Sequence, residues 1–233
     1  MKPDPKFQNQ PKSFWANVRT ISAHLGYTER GTGQIKVPSL SSICDAFSNK
    51  LSLGTGHVAT NAGPTVFGRL LLTYFEYRAH TLNTRVAPML MDVAEAKELF
   101  NTYHKMLRPR CPIPINKQKG KKRSRAFLTG LVNMLIESRA EGLPCDYDPR
   151  ELTTVTNNSA PVRTLARRVD GAFPSTVNPV AIWEIKEYYY TTTFGSRVAD
   201  GVYESLLDGM ELEELREHEN IDIRHYLMSQ CQF

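Results

Sequence analysis

Three residues have the types and spacing that hydrolytic chemistry at a phosphate requires: Asp170, Glu184 and Lys186. Glu184 and Lys186 lie in the apolar run VAIWEIK (180–186), which reads as a β-strand. Side chains alternate faces along a strand, so Glu184 and Lys186, two apart, share one face while Trp183 and Ile185 take the other. Turn signals at 174–179 predict that the preceding strand folds back and brings Asp170 beside Glu184. Two converging carboxylates repel unless a cation lies between them, and hard oxygen ligands suit Mg²⁺, with Mn²⁺ as a substitute. A lysine beside metal-bound water orients that water or stabilises charge developing in the transition state, which is phosphodiester hydrolysis chemistry. The plainer reading makes Asp170 a turn cap and Glu184–Lys186 a solvated pair. Charges inside an apolar strand are costly unless used, which favours the chemical reading.

The elements around these residues alternate helix and strand. Residues 127–136 carry a helical stripe of Phe127, Leu128, Leu131, Val132, Leu135 and Ile136, with Glu137 near its end. This helix should lie on a sheet. After the break at Gly142-Leu143-Pro144, β-prone runs at 152–156, 162–173 and 180–193 predict a three-stranded meander. Residues 196–215 return to helical spacing through Val198, Val202, Leu206, Leu207 and Met210, and 221–228 form a last strand. The order helix, three strands, helix, strand is an α/β core with a central mixed sheet.

Residues 1–12 read as a flexible arm and 13–115 as a helical N-terminal region that could serve as a DNA-binding subdomain. Within it, 13–26 is an amphipathic helix with Phe14, Trp15, Val18 and Ile21 on one side, and 38–56 suggests a small helix-turn-helix. Thr65 and Asp92 open two further helices, at 65–78 and 92–106. The catalytic core is expected over 116–233. The densest positive run, Lys117, Lys119, Lys121, Lys122, Arg123 and Arg125, is the first candidate for phosphate contact. Arg163, Arg167 and Arg168, on the strand that carries Asp170, are further candidates, as are Ser196 and Arg197 at a helix N-terminus. Tyr188, Tyr189 and Tyr190 read either as DNA-backbone contacts or as sheet-edge tyrosines.

The segment from about residue 124 to 230 resembles the PD-(D/E)XK nuclease superfamily, the fold of type II restriction endonucleases, with Asp170 matching the motif's first Asp and Glu184-Ile185-Lys186 its ExK. The resemblance implies a restriction-endonuclease-like core, a central mixed sheet flanked by helices, preceded here by a helical N-terminal region. It implies Mg²⁺-dependent cleavage of double-stranded DNA, with Asp170 and Glu184 binding the metal, the Ile185 carbonyl adding a ligand, and Lys186 acting on the attacking water. Glu137 resembles the extra acid that some members place on the helix before the sheet. Val169 stands where the motif has proline, and Glu187 is placed to compete for the lysine. A repair or junction-resolving nuclease of the same fold, and a non-catalytic helix-turn-helix DNA-binding protein, stay open as alternatives. A palindromic target would call for a homodimer.

Composition narrows the remaining classes. The 233 residues allow a substantial core, and a net charge of +5 favours polyanionic partners. Apolar runs are too short to span a bilayer, and no phosphate-loop motif GxxxxGK[ST] occurs, so neither a membrane nor a nucleotide cofactor is expected. Cys44, Cys111, Cys145 and Cys231 are far apart and read as reduced thiols, which fits a cytoplasmic protein, and the restriction-endonuclease resemblance implies a bacterial, archaeal or phage origin. The six histidines form no HxH, HExxH or HNH-like group.

Overall fold

Phe14, Val18 and Ile21 recur at helical spacing, and helix α2 (Lys12–Leu25) buries all three. In the computed structural model, which describes residues 4–29, 31–115, 124–187 and 194–229, the chain divides into two units, one of residues 1–89 with 191–196 and one of 90–190 with 197–233. The first unit gathers Phe14, Val18, Ile21, Ile43, Phe47, Val58, Leu71 and Phe75 into one apolar cluster. The expected loose arm holds a helical turn, α1 (Pro5–Gln8), because Phe7 is buried among the rings of Phe14, Tyr74 and Tyr77. Burying one phenylalanine offsets the ordering of a few residues.

The suggested helix-turn-helix at 38–56 does not form. Ser39 caps α3 (Leu40–Asp45) by accepting a hydrogen bond from the Ser42 amide, and the helix runs on with wider, π-type winding through Ala46–Lys50. The next helix, α4 (Val66–His80), begins only after a short hairpin of β1 (Ala59–Thr60) and β2 (Gly63–Pro64). Its N-cap is Thr65, whose hydroxyl accepts from the Gly68 amide at 2.9 Å. A DNA-reading helix pair needs a turn of about three or four residues, and this connection is far longer.

The second unit starts earlier than expected, because α5 (Val93–Leu107) belongs to it. Asp92 and Glu95 close a reciprocal capping box at the start of this helix. Phe100 on α5 is fully buried against Leu131, Met134 and Cys111, and it occupies the space a side chain at Gly130 would fill on α6 (Phe127–Arg139).

Among the described residues the strands of the second unit form two sheets, not one meander. β3 (Thr154–Asn157) and β4 (Ala160–Thr164) pair as a separate hairpin. β5 (Gly171–Phe173) and β6 (Ala181–Lys186) are antiparallel, and β7 (Arg224–Ser229) joins β6 in parallel after the crossover helix α7 (Phe194–Glu219). The strand expected over 162–173 breaks at 165–170. There Leu165 and Val169 both turn into the core, and the Ala166 amide donates to the Glu211 carboxylate of α7 instead of a strand.

The three-stranded mixed sheet is covered on both faces. Trp183 and Ile185 cluster with Leu128 of α6, and Ile182 clusters with Leu212 and Leu215 of α7. The expected alternation along β6 is thus present, and the mixed α/β architecture with it. Cys44, Cys111 and Cys145 are free thiols, and Cys231 lies outside the described residues. Among the described residues no helix is long and apolar enough to cross a membrane.

Gly171 faces Trp183 across the β5–β6 pair, and a methyl group there would collide with the indole. Gly171→Ala should therefore lower stability by about 1–3 kcal/mol through overpacking. Thermal unfolding checks this, with Gly209→Ala, where an added methyl meets open space inside helix α7, as the control that should hold or raise stability by up to about 1 kcal/mol.

Candidate active site

The register of β5 and β6 pairs Gly171 with Trp183, which sets Asp170 beside Glu184 at the next position. The Asp170 amide donates to the Trp183 carbonyl at 3.0 Å, and its carboxylate accepts from the Ile185 amide at 2.7 Å. The hairpin expectation for these two residues holds.

Glu184 is 1% exposed, although its side chain is a carboxyl group. The Arg167 guanidinium lies 2.6 Å from its Oε1, and Lys186 Nζ donates to Oε2 at 2.9 Å. Lys186 also bonds Glu204 of α7. Arg167 reaches further, to Glu204 at 3.6 Å and to Asp208 at 3.3 Å, and Asp208 lies 3.5 Å from His225 of β7. Four carboxylates thus face two fixed cations on the α7 side of the sheet.

Burial governs the protonation of this cluster. It pushes the Glu184 carboxyl up to about 7, with Asp170's charge adding to the rise and Lys186 and Arg167 opposing it. It likewise pushes Asp208 up to about 6 against the pull of Arg167. Burial would lower Lys186, but its bonds to Glu204 and Glu184 outweigh that and raise it above the ordinary lysine range. His225 is lowered, by burial first and then by the Arg167 charge. Lys186 is therefore a permanent cation and His225 a neutral imidazole at neutral pH.

Other sequence candidates have separate places. Glu137 accepts from the Arg110 amide at 2.9 Å and neighbours Cys111, apart from the ion pairs of the cluster. The structure thus gives the proposed extra acid a loop-anchoring contact. Glu187 does not compete for Lys186, since it accepts from the Thr129 amide and hydroxyl in the first turn of α6. Arg163 pairs with Glu214, Arg168 is exposed, and Arg125 stands 5.8 Å over the Phe100 ring. Ser196 and Arg197 fall in the first turn of α7. Lys117, Lys119, Lys121, Lys122, Arg123 and Tyr188–Tyr190 lie outside the described residues.

Sequence reasoning missed Glu204, Asp208 and His225. Leu206, Leu207 and Met210, whose spacing marks the helix, are 40–43% exposed, while Asp208 is fully buried. The signal was the acid spacing 204, 208, 211 on α7, which meets Arg167 and the Ala166 amide, with Glu214 beyond it on Arg163. Among the described residues no group of three or more His, Cys, Asp or Glu side chains is gathered as a ready metal cage.

A carboxyl whose folded value is raised favours the protonated fold. Its contribution is full below the unfolded value of 3.8 and is lost as pH rises through about 6. Asp208→Asn should therefore gain stability relative to wild type between pH 4 and 7, by on the order of 1–3 kcal/mol. Denaturant unfolding across that range in chelator checks it. A difference that does not move with pH would show that Asp208 carries no burial penalty.

Residues 91–232 match the model of a family described as a domain of unknown function, DUF7687, and residues 1–85 match that of a second such family, DUF7690. The gap between the two matches falls where the two units divide. No curated protein and no solved structure matches the chain. With more than half its length in the first match, the chain belongs to the DUF7687 family and carries a DUF7690 region at its N-terminal end.

Proposed function

We propose that the second unit is the catalytic core of a Mg²⁺-dependent endonuclease that hydrolyses phosphodiester bonds of double-stranded DNA, as type II restriction enzymes do. The observation that carries this reading is the buried Glu184, set by strand register beside Asp170 and bonded to Lys186. The element order α6, strands, α7, β7 around it supports the PD-(D/E)XK resemblance.

The residues present fit a divalent cation. Glu184, Glu204 and Asp208 face the cations Arg167 and Lys186, and Asp170 adds its charge beside Glu184, so the acids of the cluster outnumber its fixed cations. Mg²⁺ keeps several waters and needs only one or two carboxylates, so a pair suffices where a cage of three is lacking. Asp170 and Glu184 would hold it, with the Ile185 carbonyl as a further ligand. Bound there, the metal supplies Lewis-acid charge to a phosphate oxygen and lowers the pKa of a coordinated water.

Lys186 has a defined part in this reading. Held cationic by two carboxylates, it cannot act as a general base and instead donates hydrogen bonds to the attacking oxygen and stabilises its charge. Trp183 and Ile185, buried against α6, hold the β6 backbone and hence the Glu184–Lys186 spacing. The basic stretch 117–125 and Arg168 would supply phosphate contacts, and two copies would serve two strands of a palindromic site.

Incubating the purified full chain with plasmid and unmethylated phage DNA, with and without Mg²⁺, tests the assignment. Metal-dependent cleavage is expected, and Asp170→Asn and Lys186→Ala should each reduce it by more than about a hundredfold without abolishing DNA binding. Full activity in either variant would overturn the residue assignment. Cleavage of branched or mismatched DNA alone would move the substrate to repair or junction intermediates. Metal-independent DNA binding with no cleavage of any of these would overturn the enzyme.

A further inference from the structure

Arg167 is the residue in this cluster whose bonding is least settled. Its guanidinium carries five N–H donors. Nη1 donates to Glu184 Oε1 and to the Arg168 carbonyl. Nε and Nη2 are buried and lie within ion-pair distance of Asp208, Glu204 and Glu184, but they make no bond of hydrogen-bond geometry. Both oxygens of Asp208 are in the same condition, and Asp208 is completely buried. A guanidinium with unspent donors beside a carboxylate with unspent lone pairs has a second arrangement within reach, in which Asp208 takes a full share of the fork.

What would favour that second arrangement is a stronger cation at Glu184. Arg167 now sits on Oε1, while Oε2 belongs to Lys186. A divalent ion held by Asp170 and Glu184 needs one of those oxygens. Lys186 is tied to Glu204 as well as to Glu184, whereas Arg167 has Asp208 waiting as an alternative partner. Displaced from Glu184 but still paired with Asp208, the guanidinium would stay beside the reacting centre, and its planar fork of donors suits a phosphate.

We propose that Arg167 is an internal cation that neutralises Glu184 until a divalent metal replaces it, after which Asp208 retains its guanidinium beside the site as a ligand for the substrate phosphate. The inference rests on the metal-dependent reading of Asp170 and Glu184. It makes metal binding compete with an intramolecular ion pair, so the metal-free site stays closed by its own arginine.

The test is Mn²⁺ binding to the full chain by isothermal titration calorimetry without DNA, for wild type, Arg167→Gln and the charge-balanced double variant Arg167→Gln/Asp208→Asn. The double variant removes one charge of each sign and so guards against misfolding of the single one. Both variants should bind Mn²⁺ at least about tenfold more tightly than wild type, a gain of about 1.4 kcal/mol. Both should cleave plasmid more slowly with Mg²⁺ at saturation. Equal or weaker Mn²⁺ binding in the variants, with wild type binding normally, overturns the competition and leaves the nuclease reading intact. Tighter binding with undiminished cleavage overturns the phosphate role. If wild type binds no Mn²⁺ and Glu184→Gln makes no difference, the metal-dependent reading itself falls, and this inference with it.

Discussion

The placement of one carboxylate, Glu184, in the middle of a buried strand sets the terms for everything around it. At 1% exposure it has lost almost all its hydration, and a buried carboxylate without partners is too costly to keep ionised. The fold answers with Arg167 and Lys186, one on each oxygen. Those two cations, half-buried themselves, pair in turn with the acids of α7, and Glu204 and Asp208 face them. The inward-facing acids of α7 and the break in the chain at 165–170, which carries Arg167, both serve this one group.

The same strand separates structure from chemistry by its two faces. Trp183 and Ile185 bind β6 to α6 through apolar contact, whereas Ile182 and Glu184 look toward α7. Close apolar packing holds the backbone in place, and the charged face can then rely on positions set from behind. Glu187 contributes from the strand end, since its carboxylate takes the Thr129 amide in the first turn of α6 and ties the two elements together. Negative charge at a helix N-terminus is favourable, so this residue belongs to the scaffold.

Alternation along residues 180–186 and the turn signals after Phe173 made the site's centre legible in the sequence. Both act over a few residues, and register follows from them. Helix α2, the caps at Ser39, Thr65 and Asp92, and α6 were legible for the same reason: each is a local pattern of side chains satisfying local backbone groups. The partition of the chain was not, because Phe100 ties α5 to α6 across a stretch of prolines and lysines that looks like a boundary.

Helix α7 shows why hydrophobic periodicity fails at a charged site. Apolar spacing locates a buried face only when burial is driven by water leaving hydrocarbon. Opposite Arg167 and Lys186 the stronger demand is for anions, since a leucine there would leave two cations and a carboxylate mismatched in a dry pocket. The helix therefore turns its acids inward and leaves Leu206, Leu207 and Met210 outside, and apolar burial resumes only at Leu212 and Leu215, beyond the cations. A helix that exposes leucines while burying aspartate in a sequence of ordinary composition is thus a readable mark of charge on the surface it covers. That mark was available in the spacing of Glu204, Asp208 and Glu211, once Arg167 is taken as a core residue and not as a surface one.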